Sequence, residues 1–249
     1  MEKKQLLQLG DRFESFVAAC DVPKESANLK DLKHRHSHRV RDFAERIARA
    51  LGWAEGDVVT ASALGLLHDV GRFPQVREFG HFRDHDSFDH GQRGAEILAG
   101  EGWLSDCGKA EREAIITGVA LHNVHVIPED VEKDILPFVR LIRDADKLDI
   151  MQGVFQELLA RESEKGNLPP PSPVLVERAM AHKLIDYKDA HSLSDMLLSW
   201  VVWAYDFNFA PSRAILRESG MIGKIIRVLP DTPEMRRIDA DTAAHLAQA

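Results

Sequence analysis

The stretch Leu66-Leu67-His68-Asp69-Val70-Gly71-Arg72 places a histidine next to an aspartate at the end of an apolar segment. An imidazole and a carboxylate side by side cannot both enter a core as ordinary packing, because a buried polar group without a partner costs about 1–3 kcal/mol or more. A metal ion would satisfy both side chains. A single His-Asp pair is also typical of a capped helix end, so its interpretation depends on the other ligands that the chain supplies.

The sequence on either side of this stretch predicts helices. From His36 to about residue 51, apolar residues recur at steps of three and four with charged residues between them. A nearly all-apolar helix is expected next, with Asp57 as its N-cap and an end at Gly71, a residue type that often stops a helix in the left-handed conformation. Residues 72–87 lack a period and contain a proline and a glycine, which predicts a long loop.

The rest of the chain also has a helical period. Further helices are predicted at residues 88–100, 109–122, 129–160, 174–184, 190–207, 210–219 and 232–247, with a break or kink before Pro137. Residues 161–173 contain four prolines, which is typical of a linker. No segment alternates with period two, so we predict an all-α fold. Its parts are a helical core over residues 1–160 and a C-terminal helical extension over residues 174–249, packed together as one compact domain.

Composition restricts the class of protein. The 249 residues are 44% hydrophobic and 29% charged, which is ordinary for a globular protein. The formal net charge of -8 repels a phosphate backbone, so no nucleic-acid polymer is expected as a partner. No secretory signal or membrane-length apolar run is present, and Cys20 and Cys107 are too few for a disulfide framework. These features predict a cytoplasmic protein without a membrane partner.

Several further metal-ligand residues stand on predicted helices. His36 opens an amphipathic helix, His90 begins a later one and His122 ends an apolar one. In Asp144-Ala145-Asp146-Lys147-Leu148-Asp149, the middle aspartate faces the same side as two apolar neighbours four residues away in either direction. Residue type alone does not decide which residues are the metal ligands: His34 and His38 are alternatives to His36, and Asp144 and Asp149 are alternatives to Asp146.

The ordered series His36, His68-Asp69, His90, His122, Asp146 resembles the HD superfamily of metal-dependent phosphohydrolases. The similarity extends over about residues 30–150. It includes His36-Ser37-His38-Arg39-Val40, which resembles the helix of the first histidine, and Leu67-His68-Asp69-Val70-Gly71-Arg72, which resembles the signature turn. It also includes Arg143-Asp144-Ala145-Asp146-Lys147-Leu148-Asp149, which resembles the closing aspartate segment. The resemblance implies an HD-domain helical bundle.

The resemblance also implies a ligand set. One divalent ion would be held by His36, His68, Asp69 and Asp146, since the family register favours His36 before Ser37 and the aspartate that precedes Lys-Leu. His90 and His122 resemble the binuclear branch of the superfamily, in which Asp69 would bridge two ions. Some binuclear members have paired histidines where this chain has His122-Asn123, which implies a more weakly held second ion. Imidazole and carboxylate ligands suit Mn, Fe, Co, Ni, Zn or Mg without choosing among them.

The expected activity is hydrolysis of a phosphoester of a small molecule, a nucleotide or a related metabolite, by metal-activated hydroxide. His68 and Asp69 would be central to catalysis. Arg72 and Lys147 are candidate substrate-binding residues, although Arg72 is also consistent with a surface position and Lys147 with a salt bridge to Asp144 or Asp149. The same ligand series resembles that of HD-fold di-iron oxygenases, and a non-catalytic nucleotide sensor is a third hypothesis. Substrate identity and oligomeric state are not predicted.

Overall fold

The computed structural model of the chain describes residues 1–155 and 168–248, which form helices and connecting turns without a β-strand. The prediction of an all-α fold is therefore confirmed for these residues. The chain divides into two compact units, Met1–Asp146 and Lys147–Ala249. The predicted linker spans residues 161–173, of which residues 161–167 lie outside the described residues. None of the described helices is long and apolar enough to cross a membrane.

The first unit contains the first seven α-helices of the chain. They are α1 (Lys3–Ala19), α2 (Ala27–Ala50), α3 (Glu55–Leu67), α4 (Arg72–Phe79), α5 (His90–Gly100), α6 (Lys109–Leu121) and α7 (Leu136–Asp149), of which α7 ends in the second unit. Short 3-10 turns occupy Lys24–Ser26 and Asp84–Asp86, and a π-helical turn over Ile150–Val154 follows α7. Residues 156–160, which were predicted to continue this last helix, lie outside the described residues.

Helix α3 forms the centre of the first unit. Residues 58–67 are all buried, as expected for a segment that is apolar or small all round. Helix α2 packs against α3 at very short range, because a Cβ atom on Gly65 would lie 2.7 Å from Cα of Arg41. This close approach brings the C-terminal end of α3 next to the middle of α2, which carries His36.

The turn after α3 differs from the prediction. The helix begins after Ala54 rather than at Asp57 and ends at Leu67, and Gly71 has φ of -68°, so it is not a left-handed stop. Gly71 is instead needed for packing, because its Cβ would lie 2.1 Å from the carbonyl oxygen of His90. The glycine therefore lets the turn that follows α3 contact the first residue of α5.

The predicted loop at residues 72–87 is wrong in its first half, where the chain forms α4. Pro74 lies in the first turn of α4, where a missing backbone N–H breaks no helical hydrogen bond, and Phe73 and Val76 give the helix a buried face. Gly80 ends the helix with φ of +71°. Pro137 likewise lies in the first turn of α7, which begins at Leu136. The helix predicted from residue 129 is therefore wrong over residues 129–135, which are not helical.

The second unit is also helical. It contains α8 (Pro173–Met180), α9 (Leu193–Val202), a 3-10 turn (Trp203–Asp206), α10 (Ala210–Ser219), α11 (Met221–Ile226) and α12 (Pro233–Ala247). The helices predicted at 210–219 and 232–247 are confirmed, whereas α11 was not predicted and follows Gly220, which has φ of +62°. Trp200, Trp203 and Phe207 are buried, as expected for core aromatics. Packing of this unit on the first one stays a prediction.

We expect Gly71→Ala to lower the free energy of unfolding by about 1–3 kcal/mol, because its methyl group collides with backbone that has little room to move. Urea denaturation followed by circular dichroism measures the change. Gly100→Ala is the matched control, since a Cβ at this helical glycine meets nothing within 4 Å. It should be neutral or stabilising by at most about 1 kcal/mol. Equal effects of the two substitutions would contradict the packing role of Gly71.

Candidate metal centre

Four of the predicted ligands meet inside the first unit. His36 Nε2 lies 3.2 Å from His68 Nε2, 3.3 Å from Asp69 Oδ2 and 3.1 Å from Asp146 Oδ1. His68 Nε2 lies 3.3 Å from the same oxygen of Asp69 and 3.6 Å from the same oxygen of Asp146. Ligand atoms held about 2.0–2.2 Å from a tetrahedral ion are separated by similar distances, about 3.3–3.6 Å. The four donors therefore surround one point at the spacing of a metal site.

The other two predicted ligands form a second group beside the first. His90 Nε2 lies 3.0 Å from His122 Nε2, and these two nitrogens are 3.4 Å and 3.7 Å from Asp69 Oδ1. Asp69 thus presents one carboxylate oxygen to His36 and His68 and the other oxygen to His90 and His122. This division of one carboxylate between two pairs of imidazoles is the central geometric feature of the cluster.

Helix ends supply most of these side chains. His68 directly follows α3 and Asp69 lies in the turn behind it, His90 is the first residue of α5, and His122 directly follows α6. Asn123, which directly follows His122, donates from Nδ2 to Oδ1 of Asp89, the N-cap of α5. Its amide therefore links the end of α6 to the start of α5.

The far nitrogens of three histidines are held by hydrogen bonds. Nδ1 of His68 donates to the Gly65 carbonyl at 2.8 Å, and Nδ1 of His122 donates to the Val119 carbonyl at 2.7 Å. Nδ1 of His90 lies 2.6 Å from Asp84 Oδ2 and donates to it. Donation from Nδ1 leaves the lone pair on Nε2, which is the atom that faces the cluster, so the rings are oriented as metal ligands require.

The electrostatics of the cluster favour ionised carboxylates. Burial opposes the charge on Asp69, but the Lys33 ammonium and the His68 imidazole outweigh it and hold the pKa of Asp69 well below 3.8. Burial likewise disfavours protonated His68, yet the charge of Asp69 and contact with Asp146 raise its pKa above 6.5. Burial and the positive charge of Arg72 lower the pKa of His90 to about 4. Positive charge is therefore favoured beside Asp69 and Asp146, while His90 stays neutral.

These residues fit a divalent cation. Asp146 Oδ1 is buried and has no hydrogen-bond partner among the described residues, although it faces the imidazoles of His36 and His68. A buried carboxylate oxygen without a partner is costly, and coordination of a cation removes the cost. The donors are imidazole nitrogens and carboxylate oxygens without thiolate, which is a set that suits first-row divalent ions.

Residues 34–151 match the family model described as the HD domain. This segment of the chain is an HD domain. Comparisons with curated proteins and with solved structures found no match. HD domains are typically metal-dependent hydrolase domains and bind divalent metals. The six clustered side chains all lie inside the matched segment of the chain.

The structure distinguishes His36 and Asp146 from the residues that compete with them as candidate ligands. His36 joins the cluster, whereas His34 and His38 face Glu14 on α1, each with Nε2 at 2.8 Å from a carboxylate oxygen. In the aspartate run, Asp146 is the residue that contacts His36 and His68. The structure thus brings together all six predicted ligands, and their role in holding metal stays a prediction.

The two predicted substrate-binding residues have different surroundings. Arg72 is only 14% exposed in its side chain, so the alternative of a surface arginine is wrong. Its Nη1 donates to Asp84 Oδ1 and to the Phe82 carbonyl, both at 2.7 Å, and its Nε lies 3.6 Å from Asp69 Oδ1. Lys147 forms an ion pair with Asp206 in the second unit. The substrate-binding role of both residues stays a prediction.

Two residues that contact the cluster, Lys33 and Asp84, were not among the predicted site residues. Lys33 Nζ lies 2.6 Å from Asp69 Oδ2, and Asp84 holds His90 as described above. Lys33 precedes His36 by three residues, so a shared helix face was a detectable signal. Asp84 had no comparable signal, because it lies in a short 3-10 turn and its contact with His90 depends on the tertiary fold.

We expect Asp84→Ala to weaken binding of the ion at His90 and His122 by about 10–100-fold, because His90 loses the carboxylate that orients its ring. Isothermal titration of the metal-free protein with Mn(II) measures this affinity. Asp86→Ala, in the same 3-10 turn, is the matched control, since Asp86 pairs with Arg83 and is 44% exposed in its side chain. Unchanged binding in the Asp84 variant would contradict the orienting role.

Proposed function

We propose that this HD-domain protein is a metal-dependent phosphohydrolase that cleaves a phosphoester of a small molecule, a nucleotide or a related metabolite. The observation that carries the proposal is the position of Asp69, whose two carboxylate oxygens face two separate pairs of imidazole Nε2 atoms. A single carboxylate in this position is suited to bridge two divalent ions.

In this proposal one ion would be held by His36, His68, Asp146 and Asp69, and a second by His90, His122 and Asp69. Such ions would supply Lewis-acid chemistry, namely a lowered pKa of water and stabilisation of the charge of a phosphoryl group. The chain contributes the fixed donor positions, because the imidazoles are held by the carbonyls of Gly65 and Val119 and by Asp84.

The cationic side chains beside Asp69 support an anionic substrate. The Lys33 ammonium and the Arg72 guanidinium both lie 5.5 Å from the ring of Phe82. Arg72 Nε is buried and lies 3.6 Å from Asp69 Oδ1, so the guanidinium places positive charge directly beside the cluster. The chain carries a net charge of -8, and these two local cations offset that charge where an anionic substrate would bind.

Lys147 has weaker support as a substrate ligand than Arg72. Its ammonium pairs with the carboxylate of Asp206 and lies 3.3 Å from the Asp206 carbonyl oxygen. To contact a substrate, the ammonium would have to leave this ion pair. Lys33 is also paired with a carboxylate, but that carboxylate is Asp69 of the cluster, so its ammonium lies beside the site without leaving the ion pair. Lys33 is for this reason the better candidate for a lysine that neutralises developing negative charge.

Assays of two reactions test the proposal. With Mn(II), the protein should release inorganic phosphate from a generic aryl phosphate, and with Fe(II) it should show no oxygen uptake linked to substrate. We expect Asp69→Ala to lose about 1000-fold or more of the phosphatase rate, because the bridging ligand is removed. Asp42→Ala on α2 is the control, since Asp42 is exposed and pairs with Arg41.

Three other results would contradict the proposal in different ways. Oxygen uptake without phosphate release would identify a di-iron oxygenase. Metal binding without either reaction across phosphorylated and non-phosphorylated small molecules would favour a nucleotide sensor. Full phosphatase activity in the Asp69 variant would remove the clustered residues from the mechanism.

A further inference from the structure

A second group of metal-ligand side chains lies between α1 and α2. His34 Nε2 is 2.8 Å from Glu14 Oε2, and His38 Nε2 is 2.8 Å from Glu14 Oε1. The two imidazole nitrogens are 3.4 Å apart. One potential ligand atom from each residue lies within 4.8 Å of the other two, and the three residues come from two different helices.

The backbone of α2 fixes the two histidines relative to each other. Residues four apart in an α-helix lie on one face, so His34 and His38 project side by side toward α1. Their rings meet edge to face with centroids 4.9 Å apart. Below them, the buried ring of Phe13 stacks on His34 at 6.0 Å and meets His38 edge-on at 5.9 Å. The imidazoles are thus held by packing as well as by the carboxylate.

This group is separate from the six-ligand cluster. His36 lies between the two histidines in sequence, and a step of two residues turns a helix by about 200°, so His36 points to the opposite side of α2. His36 is fully buried, whereas the side chains of His34 and His38 are each 33% exposed and that of Glu14 is 48% exposed. Water has access to the outer group, which leaves room for further ligands on an ion.

We propose that Glu14, His34 and His38 bind one late first-row transition ion, with Zn(II) as the principal candidate, and that this ion joins α1 to α2. Two imidazoles and one carboxylate with open positions are a common protein ligand set for Zn(II). The hard ions Mg(II) and Ca(II) favour oxygen ligands and suit this group poorly. Glu14 supplies one negative charge, so water or an exogenous anion completes the coordination.

A bound ion at this site would affect how α1 is attached to the rest of the first unit. The residues of α1 lie before the segment that matches the HD domain, which begins at residue 34. In the absence of an ion, α1 is held by buried Leu9, Phe13 and Val17 and by the contacts of Glu14 with the two histidines. A bound ion adds coordinate bonds between α1 and α2, so the availability of zinc would control how firmly this helix is attached.

Zinc binding by matched histidine variants tests the proposal. After equilibrium dialysis against Zn(II), the double variant His34→Gln, His38→Gln should contain about one zinc equivalent less than the unsubstituted protein. The control is His81→Gln, His85→Gln, which removes two histidines of the same sequence spacing from the segment between α4 and α5. It should retain the full zinc content. Equal zinc content in all three proteins would overturn the proposal.

Hydrogen exchange provides a second measurement that does not depend on activity. Added Zn(II) should slow exchange of the amides in α1 in the unsubstituted protein and in the control, but not in the double variant. Glu14→Gln keeps the size of the side chain and removes its charge, and it should weaken zinc binding at this site more than about tenfold. Zinc-dependent protection of α1 that persists in both site variants would contradict the proposal.

Discussion

Burial of the Asp69 carboxylate is the physical constraint on which the metal centre of the first unit depends. Asp69 is 1% exposed, and a charge buried this deeply is tolerated only when several opposite charges or hydrogen-bond donors surround it. Four imidazoles and the ammonium of Lys33 supply this environment. Burying so many titratable groups around one carboxylate lowers the stability of the fold relative to an apolar core. Binding of cations by these groups explains why they are gathered here.

Close packing of helix backbones fixes the positions of the candidate ligands. The backbones of α2 and α3 approach each other at Gly65, the turn after α3 touches α5 at Gly71, and α5 meets α6 at Gly91, where a Cβ would lie 2.9 Å from the Val119 carbonyl oxygen. Each of these contacts lies close in sequence to one of the ligands. Because the contacts involve backbone, they leave little freedom to the helix ends that carry His68, His90 and His122.

The sequence was most informative where function and local structure depend on neighbouring residues. The ligand series followed from the resemblance to the HD superfamily, and α6, α10 and α12 were predicted within about two residues. Helix α4 was missed because Pro74 was interpreted as a loop residue, although proline is compatible with a first turn. The contacts Lys33–Asp69 and Asp84–His90 depend on how distant segments pack. The same is true of Glu14, whose position opposite His34 and His38 is set by the docking of α1.

In the proposed function, Asp69 would bridge two metal ions. Anomalous diffraction from crystals of the protein loaded with Mn(II) tests it most directly. We predict two anomalous peaks about 3.5–4 Å apart, one near His36, His68 and Asp146 and the other near His90 and His122, with one oxygen of Asp69 on each. A single peak, or peaks that do not contact Asp69, would contradict this account.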